Sequence, residues 1–263
     1  MKNKRSLFAV PYIVWMAFLV VIPIIIMVVY AFTTVPAGAT DDSLTFTLSN
    51  FTSMGNYTVV FTRSFKLALI ATLVCLLIGY PISYMIAKEG PRFQRIAMVL
   101  IMLPMWINFL LRTYSWMSIL ENNGLLNQFF RAIGLIDLYN SIAIHFAADP
   151  AAYQPITYFQ MMGTSGAVVL GMVYNYLPFM ILPIYSVIVK LDHSLVEAAH
   201  DLGANSIVVF RKVIFPLSLP GVLSGITMVF VPSVSTFAIS RLLGGGNQML
   251  LGDLIELQFT GGA

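Results

Sequence analysis

The sequence predicts an all-α fold, a polytopic bundle of transmembrane helices, and three observations carry that prediction. Of the 263 residues, 59% are hydrophobic and only 10% charged, where a typical soluble domain carries roughly 25% charged residues. The apolar residues fall into long runs at about 7–32, 64–87, 96–118, 165–189 and 219–240, each close to the ~20 residues that span a bilayer. Within these runs apolar and polar residues do not alternate. That favours helices, which satisfy their own backbone hydrogen bonds in lipid, over barrel strands. Five spans are expected.

Taken in order, the first run follows Lys2, Lys4 and Arg5 and precedes Pro36-Ala-Gly-Ala39. It resembles a signal peptide, but its apolar part exceeds the usual 7–15 residues or so, so it reads as an uncleaved anchor. Residues 33–63 are rich in Thr, Ser, Asn and Asp and are expected to pack over the outer face of the bundle. The third run carries Trp106, Asn108, Arg112, Thr113, Tyr114 and Trp116, and the fourth is interrupted by Tyr174, Asn175 and Tyr176. Between them, 119–164 forms a long extracytoplasmic loop with an amphipathic stretch around Leu125 to Ile136. Its part from Ser141 to Gly163, with Pro150 and Pro155, reads as an insertion.

A polar island, Ser194 to Pro216, separates the fourth and fifth runs. Ser194 with Glu197 has the spacing of a capping box. Ala198 and Ala199 propagate the helix, and Gly203 is expected to end it in the left-handed conformation. A short helix that reaches no lipid needs a protein partner.

Charge orients the chain. Lys2, Lys4 and Arg5, then Lys88, Arg92 and Arg95, then Lys190, Arg211 and Lys212 make up nine of the 14 Lys and Arg. All fall on one side if every run crosses, and that side is cytoplasmic. The opposite segments carry Asp41, Asp42, Glu121, Asp137, Asp149, Asp253 and Glu256. The N-terminus and the polar island therefore face the cytoplasm. A net charge of +3 spread singly between spans is a topology signal and does not point to nucleic acid. With Cys75 as the single cysteine, inside an apolar run, no disulfide framework or thiolate metal cluster is available.

Asn108 and Asn175 would be costly against lipid and are expected to face the bundle interior or a wet cavity. Trp106, Asn108, Tyr114, Tyr174 and Asn175 are the candidate path residues, ahead of Trp116; aromatic residues also serve as interfacial belts or core filler. No acidic residue lies clearly at mid-membrane, and Arg112 is expected to pair with Glu121 or to point away from the path. Pro81, Pro104, Pro178, Pro183, Pro220 and Pro232 lie in or beside spans two to five, as hinges or as static kinks.

Two other functions fit poorly. A proton- or sodium-coupled carrier needs intramembrane carboxylates or histidines, but His145 lies in a loop, and His193 and His200 flank the polar island. Neither a His-Glu-x-x-His nor a Gly-x-Ser-x-Gly motif occurs, so no catalytic residue, metal or cofactor is expected. No Gly-x-x-x-x-Gly-Lys-Ser/Thr loop occurs either, and any ATP hydrolysis belongs to another polypeptide.

The island also carries a family resemblance. Glu197-Ala-Ala-His-Asp-Leu-Gly203, a second short helix, Ile214-Phe-Pro216 and Pro220-Gly221 resemble the EAA loop of ABC importer permeases. Leu77 to Lys88, Leu103 to Tyr114, Tyr176 to Pro183 and Leu243 to Gly252 extend the likeness over nearly the whole chain, to the permeases of spermidine/putrescine importers. The resemblance implies a type I ABC importer permease in a bacterial plasma membrane, with 1–263 as one permease domain and 190–218 as its coupling loop. Glu197, Ala198, Ala199, Asp201 and Gly203 would contact the ATPase. The implied partners are a second, non-identical permease, two cytoplasmic ATPase subunits and an extracytoplasmic polyamine-binding protein. An importer for another small solute is the alternative. Such permeases have six spans with both termini inside, so a sixth helix is expected beyond the five.

Overall fold

The computed structural model describes residues 10–34, 45–146 and 153–261. The basic tail with Lys2, Lys4 and Arg5, the acids Asp41, Asp42 and Asp149, and residues 147–152 of the 141–163 segment lie outside the described residues. The chain forms two compact units, residues 1–59 and 60–263.

The first unit is built on α1 (Val10–Met16), a π-helical turn (Ala17–Val21) and α2 (Ile22–Ala31), together a 22-residue apolar helix with no buried residue. Pro23 follows the π turn, in which the Ile22 N–H reaches back to the Ala17 carbonyl. Proline lacks the N–H that would bond four residues back and its ring crowds that carbonyl, so a locally widened turn accommodates it. Beyond α2, β1 (Thr33–Thr34) pairs antiparallel with β2 (Thr45–Phe46). The Asn50 amide donates to the carbonyls of Tyr30, Ala31 and Thr33 at 3.2–3.3 Å, of which the first two are carbonyls left open at the helix C-terminus. The short helix α3 (Ser49–Ser53) presents Phe51 to Phe32, which also stacks on Phe46.

The second unit contains most of α4 (Thr58–Lys88), then α5 (Pro91–Trp106), α6 (Phe109–Leu120), α7 (Leu125–Ala132) and α8 (Leu135–Phe146). It continues with α9 (Ser165–Ile188), α10 (His193–Asp201), α11 (Ser206–Val209), a π turn (Phe210–Ile214), α12 (Phe215–Val234), α13 (Ala238–Leu243) and α14 (Leu251–Thr260). Four helical runs are long and apolar enough to cross a membrane, and a fifth does so if α5 and α6 with its extension count as one bent span.

That bend corrects the expectation of a continuous third helix over 96–118. The chain turns by 90° at Ile107–Asn108, where both residues leave helical geometry. Pro104 cannot donate to the preceding turn, and Asn108 caps the new helix by accepting the N–H groups of Leu110 and Leu111 at 2.9 and 3.4 Å. The other prolines behave differently. Pro81, Pro178, Pro183, Pro220 and Pro232 all lie inside helices that continue past them. The fifth span is also shifted from 219–240. Its helix runs from Ser206 through the π turn to Val234, so the expected second short helix of the polar island is the first turn of the span itself.

The core centres on α9, whose Met172, Met180, Ile181 and Ile184 are almost wholly buried. Facing it, Gly221 and Gly225 of α12 form a Gly-x-x-x-Gly face. A Cβ on Gly221 would stand 2.8 Å from the Pro183 carbonyl oxygen, and one on Gly225 2.7 Å from the Met180 sulfur. Absent side chains let the two backbones approach closely, the usual way helices associate without a hydrophobic driving force in lipid.

In the 119–164 loop, α7 and α8 form a helical hairpin clamped onto residues 153–160. The Asn127 amide donates to the Phe159 carbonyl and accepts its N–H, and Asn140 does the same with Ile156. Residues 156–159 of the 141–163 segment are thus tied by backbone recognition to the two helices before them.

Candidate coupling hairpin and translocation path

The polar island forms the expected hairpin, with one change at its start. Asp192 is the N-cap, its carboxylate accepting the Ser194 N–H at 2.9 Å. Ser194 lies inside the first turn, so the expected Ser194–Glu197 capping box is displaced by a cap two residues earlier. Either residue type can cap. The C-terminus is as expected: Gly203 has φ +80°. The Gly203 N–H donates to the His200 carbonyl at 2.8 Å and the Ala204 N–H to the Ala199 carbonyl at 3.1 Å, the two bonds of a Schellman motif. Asn205 then caps α11 by accepting the Val208 N–H.

This geometry leaves α10 projecting. Glu197, Ala198 and Asp201 are exposed and Ala199 half-buried, and Leu202 at the tip is 89% exposed. Glu197 and Asp201 share a face at i and i+4. A shallow groove at the turn between α10 and α11 is lined by Leu202, Gly203, Asn205, Val208 and Lys212. At 89% exposure so large an apolar side chain costs hydrophobic free energy until something covers it.

The candidate path residues separate into two groups. Trp106, 74% exposed, lies at the end of α5 beside the bend, and Asn108 is occupied as a helix cap. Tyr114 projects outward from α6. Tyr174 instead meets Trp116, edge to face with centroids 5.3 Å apart. Trp116, the less favoured tryptophan, is therefore the one that joins α6 to the polar stretch of α9. Next to this pair Asn175 is 4% exposed. Its Nδ2 donates to the Gly171 carbonyl at 2.8 Å, while its Oδ1 is sealed from solvent with no partner. Arg112, one turn before Trp116, has Nε and Nη1 equally sealed and unpaired. It does not reach Glu121; the guanidinium lies 6.0 Å from the Phe109 ring centroid. Unpaired buried polar groups are costly, and within one chain this region leaves both an acceptor and donors unmet.

The sequence also concealed an inward fold of residues 241–260. Leu243 and Leu250 are fully buried, the Leu251 N–H donates to Ser64 Oγ at 2.7 Å, and a Cβ on Gly252 would meet the Ser235 and Thr236 carbonyls. This brings Asp253, 7% exposed, into the body of the unit, where its carboxylate accepts the Leu250 N–H at 2.8 Å. Arg241 and Glu256 form an ion pair at 2.9 Å nearby. Burial pushes the Asp253 carboxyl above the usual carboxylate range, while bonds from Ser240 and Leu250 and the charge of Arg241 draw it back. Because folding disfavours the charged form, Asp253 weakens the fold as pH rises from the ordinary carboxylate range through its raised value. Asp253→Asn keeps an acceptor for Leu250 and should leave stability unchanged or higher at neutral pH. Asp253→Leu strands that buried N–H and should cost ~1–3 kcal/mol. Thermal unfolding of the detergent-solubilised variants across pH checks both. Among the described residues no group of three or more His, Cys, Asp or Glu is placed to hold a metal ion.

Residues 79–260 match the family model of the binding-protein-dependent transport system inner membrane component. The spermidine/putrescine transport system permease protein PotB of Haemophilus influenzae is 36% identical over 247 residues, covering 93% of this chain and 79% of that protein. PotB of Escherichia coli K12 is 36% identical, covering 93% and 82%. The inner membrane ABC transporter permease protein YdcU of Escherichia coli K12 is 29% identical over 203 residues, covering 75% and 62%. With a helical membrane fold, a projecting hairpin at the expected place and these relatives, the chain belongs to the family of binding-protein-dependent transport system inner membrane components.

Proposed function

We propose that the chain is one of two permease subunits of an ATP-driven importer that carries spermidine or putrescine across a bacterial inner membrane. The observation that carries this reading is the projecting hairpin α10–α11 set between two spans of a chain 36% identical to polyamine permeases. In this reading the N-terminus and the loop 190–218 are cytoplasmic, and 119–164 is extracytoplasmic. The face formed by Glu197, Ala198, Ala199, Asp201 and Gly203, with Leu202 at its tip, docks on one of two ATPase subunits. A second permease completes the path, and an extracytoplasmic binding protein delivers the cargo. The chain itself performs no chemistry; it converts the closure of its partners into helix movement.

Asn175 supports the cargo assignment. Its unmet Oδ1 is the kind of acceptor an ammonium group needs, and the Trp116–Tyr174 pair beside it offers aromatic faces that attract cations. Trp106, Asn108 and Tyr114 lie further along α5 and α6 as contacts for cargo or for the second permease. Arg112 adds a like charge near this region, which opposes tight retention of a polycation; transport requires binding weak enough for the cargo to leave. The whole importer reconstituted in vesicles with its binding protein should hydrolyse ATP faster with spermidine or putrescine and accumulate the polyamine. Stimulation by anions or sugars alone would overturn the cargo assignment.

A further inference from the structure

The hairpin α7–α8 presents two apolar stripes that the described chain leaves uncovered. On α7, Leu125, Phe129 and Ile133 recur every fourth residue, and on α8 Leu138, Ile142 and Phe146 do the same; all six are exposed. At ~100° per residue each set follows one line along its helix. The polar side chains point elsewhere. Asn127 and Asn140 turn inward onto the backbone of Phe159 and Ile156, and Arg131 reaches the Thr157 carbonyl at 2.8 Å. Gln128 and Arg131 on α7, and Asp137 and Ser141 on α8, are exposed away from the stripes. Each helix thus has a clamped side, a polar exposed side and an apolar exposed side.

Orientation, length and continuity identify the surface that covers the stripes. The segment Phe109–Ala132 stands at 90° to α5, so with α5 crossing the bilayer this segment runs along the membrane surface. The helices α7 and α8 have 8 and 12 residues, too few to cross ~30 Å of hydrocarbon. The stripe of α7 also continues a surface already apolar, since Leu110, Leu111 and Tyr114 of α6 are exposed in the same segment. We propose that α7–α8 is an interfacial anchor, its stripes sunk into the boundary of headgroups and acyl chains on the side of the membrane where α5 ends. Its polar side faces water, as in helices that lie in the plane of a bilayer, and the exposed Tyr139 ring suits headgroup depth. The anchor holds the clamped residues 156–159 at a fixed height above the lipid, whatever cargo the importer carries.

The test is power-saturation electron paramagnetic resonance on the assembled importer in vesicles of phosphatidylcholine and phosphatidylglycerol. Nitroxides are attached to single cysteines in a Cys75→Ala background with cysteine-free partner subunits. Labels at Ile133→Cys and Ile142→Cys should show a ratio of oxygen to nickel-chelate accessibility about tenfold above labels at Gln128→Cys and Ser141→Cys. Adding the binding protein should leave that ratio unchanged. All four positions are exposed, so the labels displace no packed side chain. Equal ratios at the four positions would place the stripes in water and overturn the proposal. Low access to both reagents at 133 and 142 would show that protein covers the stripes and would equally overturn it: another subunit if the shielding precedes addition of the binding protein, the binding protein itself if it follows. Neither readout depends on transport, so the anchor and the proposed function fail separately.

Discussion

Replacing Gly203 by valine should uncouple ATP hydrolysis from transport. Gly203 has φ +80°, yet a Cβ placed there meets nothing within 4 Å. The penalty is therefore purely conformational. A β-branched side chain clashes with its own backbone in the left-handed region, at a cost of at least ~1–2 kcal/mol. The chain relieves this by leaving that region, and the Gly203–His200 and Ala204–Ala199 bonds open with it. The last turn of α10 then frays and the Leu202 tip loses its fixed direction, while the spans stay intact because no buried contact changes. Gly203→Asn, which tolerates positive φ better than other residues, should retain most function, with Gly203→Ala in between. Polyamine-stimulated ATP hydrolysis and uptake, measured on the same vesicles, check the order. Normal stimulation and uptake in Gly203→Val would show that α10 does not transmit the motion.

The positive φ at Gly203 was legible because it depends on local chemistry alone. So were the spans, since apolar runs of the right length have few alternatives in a chain this hydrophobic. The break at Ile107 was harder to see because hydrophobicity continues across it from Leu103 to Leu111. Its cause, Pro104 followed four residues later by an amide that can cap, was present in the sequence, but Asn108 was read as a polar group in need of a wet cavity. In fact it spends its oxygen on the backbone. The early start of α4 at Thr58 was obscured by Arg63 and Lys66, which a helix end tolerates. The inward fold of Asp253 could not be read locally at all. It depends on Ser64, 187 residues away from its partner Leu251, and on close approach of Gly252 to the carbonyls of Ser235 and Thr236. Likewise, only three-dimensional packing selects Trp116 over Trp106 as the partner of Tyr174.

The largest structural effect is expected at Gly221, where leucine should destabilise the bundle more than any other single glycine substitution in the series. Its Cβ would stand 2.8 Å from the Pro183 carbonyl oxygen and 3.1 Å from the Ile184 Cα, both backbone atoms of a helix buried at this level. Neither can rotate aside, so α9 and α12 must separate. Gly225 differs, because its nearest neighbour is the sulfur of Met180, and methionine can change rotamer. Overpacking typically costs ~1–3 kcal/mol and occasionally more; Gly221→Leu should lie at the upper end, with Gly225→Ala milder. Gly90 provides the control: a Cβ there meets nothing within 4 Å and its φ is −68°, so Gly90→Ala should be neutral. Monodispersity and thermal unfolding in detergent measure the series. Separation of α9 from α12 would also pull apart the two ends of the polar island, since α9 leads into α10 and α11 continues into α12. The Gly-x-x-x-Gly face thus fixes both the bundle and the base on which the hairpin stands. A Gly221→Leu protein that unfolds like wild type, yet fails to couple, would show that hairpin position depends on this contact more steeply than bundle stability does.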